Sequence, residues 1–302
     1  PCFLEGSRGT GKSMLLLSLR ARNYISRNTN SSDPFRIFGF YLKLGRGALC
    51  NAGSLGDVHS DPQDVIANQT VQITDIASQE IILCLLECLF SEISFCVDRN
   101  LLPCDRQAEK ALVDSADLAF FGDSSNRAKS FDELLEKLAD THKHVASFIR
   151  RRFIYGEQAN VPIATFDLEL FKRAIKLVKK SIPSLRNSMF VALLDEYENL
   201  FPFQQRIMNG FVKHSLPDIS IKIAKKIGSS DTSGTTTGQE LQESHDYARI
   251  TLVYDVQDNI QGRAYHELLK HIVSNILKSE GLKNIDIRDL LPKDSTPEVD
   301  DE

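Results

Sequence analysis

Gly6-Ser7-Arg8-Gly9-Thr10-Gly11-Lys12-Ser13 ends a glycine-spaced octet on a lysine and a hydroxyl. It fits G-x-x-x-x-G-K-[ST], the phosphate-binding loop. Glycines let the backbone curl until successive N–H groups converge on one anion. Lys12 can reach the β- and γ-phosphates as a compact positive charge, and Ser13 can offer its hydroxyl to Mg²⁺. The flanks suit the motif. Phe3 and Leu4 read as the end of a buried strand, and Met14-Leu15-Leu16-Leu17 opens an apolar helix whose positive end would face the anion. The competing reading, a glycine-rich turn closed by an ordinary Lys-Ser pair, does not account for those flanks.

A second acidic centre completes the chemistry. The apolar run Met189 to Leu194 leads directly into Asp195-Glu196. A short continuous apolar run suits a parallel strand covered on both faces. A carboxylate at the carboxyl end of such a strand lies in the crevice where α/β sheets bind ligands. Asp195 is therefore expected to hold Mg²⁺ together with Ser13, and Glu196 to orient or deprotonate the attacking water. Ser13 and Asp195 stand 182 positions apart. A compact core of this kind needs far fewer, so the residues between them include a large inserted block.

The elements that must position these groups follow from pattern. A helix is expected over residues 13–26, and an aromatic-rich strand over Phe35 to Leu44. Residues 45–75 are mixed and Asp/Gly/Ser-rich, which suggests loops. Helices are expected over 78–100 and 107–121, then from Ser130 to about Arg152. Ser130 with Glu133 forms a capping box at the start of that third helix. Another helix spans Asp167 to Ser181 and is stopped by Pro183. Further on come a helix from Gln204 to His214, strands over Ile219 to Ala224 and Arg249 to Tyr254, and a last helix over 261–279. The expected fold class is α/β: a three-layer P-loop NTPase sandwich with a mostly parallel sheet and a large helical insertion. Residues 1–50 and 188–280 form its core, 51–187 the mainly helical insertion, and 281–302 a flexible acidic tail.

Bulk composition narrows the function classes. The 302 residues are 42% hydrophobic and 25% charged, enough for a substantial core. No run approaches the roughly 18 apolar residues of a membrane span. The net charge of -5 gives no bulk attraction to nucleic acid. A basic helix face at Lys172, Arg173, Lys176, Lys179 and Lys180, with Arg150-Arg151-Arg152 nearby, is the one feature favouring such a partner. The six cysteines lack zinc-site spacing and read as core thiols of a cytoplasmic protein. The chain opens at Pro1, almost on the phosphate loop, so a piece of a longer protein is expected.

FLEGSRGTGKSMLL, FGFYLKLGRG, ALLDEYENLFPFQQRIMNGFVKHS and ESHDYARITL together resemble prokaryotic origin-recognition-like AAA+ ATPases, relatives of the STAND group. Several members of that group look like subunits of antiphage defence modules. The resemblance covers about residues 1–50 and 188–255. It implies ATP rather than GTP, in keeping with the lack of an N/T-K-x-D guanine motif. It implies a polar γ-phosphate sensor after the strand at 219–224, where Lys225, Lys226, Ser230, Asp231 and Thr232 all stand. It also implies an arginine finger, for which Arg8, Arg206 and Arg249 are candidates. The expected activity is slow ATP hydrolysis coupled to switching or assembly, with a homo-oligomeric or protein partner reached through the helical block. The alternatives are a nucleic-acid-directed initiator or loader, and a non-catalytic ATP-binding scaffold.

Overall fold

The computed structural model describes residues 1–252 apart from 30, 32, 45–62, 124, 150, 152–165, 215–217 and 230–231, and of 63–73 and 149 the backbone alone. The helix expected over 261–279, the acidic tail and Cys50 lie outside the described residues.

Five strands build one sheet: β1 (Cys2–Gly6), β2 (Ile37–Lys43), β3 (Met189–Asp195), β4 (Ile219–Lys226) and β5 (Ala248–Leu252). All pairings are parallel, in the spatial order β2-β3-β4-β1-β5. Phe190 to Leu194 of β3 are buried throughout, as a central strand with both faces covered requires. This mixed α/β architecture is that of a P-loop NTPase.

Around the sheet lie α1 (Lys12–Ser18), α2 (Ala21–Arg27), α3 (Gln63–Asp98), α4 (Arg106–Phe121), α5 (Phe131–Ile149), α6 (Leu168–Ser181) and α7 (Pro202–Lys213). Helices α3 to α7 share one core with one face of the sheet, in which Phe40 meets Phe171 edge-on at 6.1 Å. On the other face a smaller cluster of Leu4, Val191, Leu193 and Ala224 lies under Leu16 of α1. Asp105 and Asp167 cap α4 and α6 by accepting from Ala108 N and Leu170 N. At α5, Glu133 N donates to Ser130 Oγ, but the Glu133 carboxylate reaches Lys129 N instead of Ser130 N. The capping box is thus closed one residue early.

Two sequence expectations fail in instructive ways. The helix expected over 13–26 is two helices, broken where Arg20 is extended at φ -61, ψ 135. Neither glycine nor proline marks the break. Tertiary contacts impose it: Arg20 bridges to Gly39 of β2, and the Leu19 carbonyl oxygen lies 2.1 Å from where a Cβ on Gly39 would stand. Only glycine admits that approach. The buried Glu92 of α3 then holds the start of α2, accepting from Arg22 N, from Arg20 Nε at 2.8 Å and from Arg22 Nη2 at 2.8 Å. The second failure is the onset of α3, which begins at Gln63 rather than near residue 78. Once the buried half from Ile76 onward is helical, each added residue costs no new nucleus.

Helix α5 brings His142 against α3. Its Nδ1 lies 3.2 Å from Glu87 Oε1, and its Nε2 lies 3.8 Å from both Glu80 Oε1 and Cys84 Sγ. Contact with Cys84 first, then with the two carboxylates, pushes the imidazole up to about 12. Among the described residues both oxygens of the fully buried Glu80 lack a hydrogen-bond partner, and His142 is the cation beside them. His142→Ala should therefore destabilise the fold by about 3 kcal/mol at neutral pH, as an orphaned buried charge does. Because the folded value lies above the free one, this contribution is complete below about pH 6.5 and falls as pH rises toward 12. Urea unfolding at pH 6 and pH 9 should show a smaller gap between wild type and variant at pH 9.

Candidate nucleotide-binding site

Because every strand is parallel, β1, β3 and β4 all end at one edge of the sheet. The phosphate loop leaves β1 at Gly6, and the acidic pair leaves β3 at Asp195. β4 lies between, so two strand spacings of about 4.8 Å separate the two exits. Helix α1, which opens with Lys12 and Ser13, packs over β3 and β4. The topology therefore places both exits at the same sheet edge.

Ser7, Arg8 and Gly9 are exposed, whereas Thr10 is buried and donates its hydroxyl to Ser7 O at 2.9 Å. Gly11 caps α1 at φ 83, a conformation costly for any residue with a Cβ. The Lys12 ammonium folds back over the loop and donates to Gly6 O and Ser7 O, each at 2.7 Å. Ser13 is exposed beside it.

On the acidic side Asp195 is only 3% exposed. Its Oδ1 accepts from Glu196 N at 2.9 Å and its Oδ2 from the Tyr41 hydroxyl at 2.8 Å. Glu196 is left-handed at φ 60, ψ 43, which costs about 1–2 kcal/mol for a residue with a Cβ. The kink turns its side chain out of the strand. There Lys43 Nζ reaches Oε1 at 2.9 Å and Asn199 Nδ2 donates to Oε2 at 3.0 Å. The bond to Glu196 raises the Lys43 pKa, keeping it cationic. A serine hydroxyl and a buried carboxylate with uncharged partners are hard oxygen donors, and they fit Mg²⁺. Among the described residues no group of three or more His, Cys, Asp or Glu is arranged to hold an ion.

The family model of ORC-CDC6-like proteins matches residues 1–302. The chain belongs to the ORC-CDC6-like family. It is thereby an AAA+ ATPase by family, a class that uses nucleotide with Mg²⁺ and often oligomerises. No curated protein and no solved structure shows significant similarity to it. No helix among the described residues is long and apolar enough to cross a membrane.

In this ORC-CDC6-like chain the sensor and finger candidates differ in freedom. Lys225 is tied to the buried Glu5 at 3.1 Å. Lys226 N donates to Glu198 Oε2, and Thr232 N to Gln205 Oε1. Ser230 and Asp231 lie outside the described residues. Arg8 and Arg206 are exposed, whereas Arg249 pairs with Glu243 at 3.1 Å and approaches Glu5 at 3.6 Å. Asp246 takes Lys213 Nζ at 2.9 Å, and Tyr247 packs edge-on against Phe3, so the His245-Asp246-Tyr247 stretch braces the sheet edge.

Sequence reasoning missed Tyr41, Lys43 and Asn199, which hold the acidic pair. It also missed a buried polar seam beneath it. The Tyr197 hydroxyl donates to Asn209 Oδ1, and Asn209 Nδ2 to the carbonyls of Thr232 and Gly234. The signal was available: Gln205 and Asn209 sit four apart among the buried positions of α7. Burial pushes the Cys88 and Cys96 thiols up to about 12, in keeping with inert core cysteines.

Proposed function

We propose that this chain binds ATP with Mg²⁺, hydrolyses it slowly and uses the cycle as a switch or assembly step. One observation supports this above the rest: the strand that leads into the Lys12 loop and the strand carrying Asp195 both end at one sheet edge, with only β4 between them. In this reading the backbone of residues 6–13 cradles the phosphates, and Lys12 neutralises β/γ charge. Ser13 and Asp195 hold the cation, and Glu196 draws a proton from the attacking water. The cation, when bound, supplies charge stabilisation to the transferring phosphoryl group. Loss of γ-phosphate contacts would release the segment after β4, which the Asn209 seam links to α7. The test is phosphate release from ATP by the wild-type chain, with sizing in ATP·Mg²⁺ and in EDTA. Turnover on the order of minutes or slower and a nucleotide-dependent change in size are expected. Undetectable ATP binding overturns the reading, and binding without turnover favours the scaffold.

A nucleic-acid-directed ATPase is the second reading. Lys172 pairs with Glu169, and Lys179 with Asp218 at 2.8 Å. Arg173, Lys176 and Lys180 form an exposed stripe on α6 and, among the described residues, make no ion pair. DNA-stimulated turnover that fades with salt would favour it.

A further inference from the structure

We propose that Tyr41 is a positioning residue for Asp195 and sets the Mg²⁺ requirement of the site. The inference rests on the ATP-binding reading above and concerns how that site is regulated by its cation.

Tyr41 stands opposite Leu193 in the β2–β3 register, two residues before the Lys43–Asp195 pair. Its ring packs against the small cluster under α1, so the side chain is held by apolar neighbours. From there the hydroxyl donates to Asp195 Oδ2, while Glu196 N takes Oδ1. Each carboxylate oxygen thus has one donor and keeps a further lone pair for a cation or its water. Neither donor is charged. The cation next door, Lys43, goes to Glu196 instead. A lysine or arginine on Asp195 would fix its orientation but cancel the charge a divalent ion needs. A phenol fixes the orientation and leaves that charge in place. The division of labour along β2 is therefore specific: Tyr41 orients the metal carboxylate, and Lys43 holds the glutamate.

Tyr41→Phe keeps the ring and removes the hydroxyl alone. The experiment is a Mg²⁺ titration of the full chain with a fluorescent ATP analogue, beside the same binding measured in EDTA. The half-saturating Mg²⁺ concentration should rise about tenfold, because a bond to a charged group is lost, with affinity in EDTA within twofold of wild type. An unchanged Mg²⁺ midpoint overturns the inference. So does an equal loss of affinity with and without Mg²⁺, which would mark a merely structural role. Wild type that fails to bind the analogue overturns the ATP-binding reading itself. Should Tyr41→Phe not fold, Tyr41→Met fills the space without a hydroxyl and carries the same expectation.

Discussion

Lys12→Ala is expected to weaken ATP binding at least about 100-fold by calorimetry, because the ammonium supplies two or more charge-assisted bonds to phosphate oxygens. The side chain lies over the loop and donates to Gly6 O and Ser7 O at 2.7 Å. Alanine removes the charge and also the brace between loop and helix. Lys12→Arg restores charge without the compact head, so it should recover only part of the affinity. A Lys12→Ala protein that binds ATP as tightly as wild type would remove the phosphate-loop assignment.

Glu196→Gln is expected to leave ATP affinity within about threefold and to lower turnover roughly 10²- to 10³-fold, the range for loss of a positioned general base. The amide is nearly isosteric, and Asn199 Nδ2 can still donate to its carbonyl oxygen. The ion pair with Lys43 is lost, but both side chains are substantially exposed, at 60% and 38%, so little stability goes with it. Binding and hydrolysis therefore separate in this variant, as they do not in Lys12→Ala. Phosphate release at the wild-type rate would assign the water to another group.

Much of the site was legible because its parts are local. A glycine octet and a strand ending in two carboxylates each lie within one short stretch, and the continuous apolar run before Asp195 pointed to a mostly parallel sheet. The groups that hold those parts are not local. Tyr41 and Asp195 are 154 residues apart, and Arg22 and Glu92 are 70. No periodicity joins them, since each sits on a strand or helix whose own pattern is satisfied without the partner. The break at Arg20 was hidden for the same reason: its cause is a glycine on a neighbouring strand. The extra turns of α3 were hidden by composition, because helix propagation overrides weak propensity once a buried half exists.

Glu92 sets a lower limit on how far this protein can be miniaturised. A design that splices Leu44 to Ser188 to keep only the sheet and its loops would discard the carboxylate that takes Arg22 N at the start of α2. It would also leave Arg20 and Arg22 without their shared counter-ion and strip Phe95 from beneath the Arg22 guanidinium, 3.6 Å away. The shortest self-sufficient version therefore has to carry α3 through at least Phe95, or supply an engineered acid in its place.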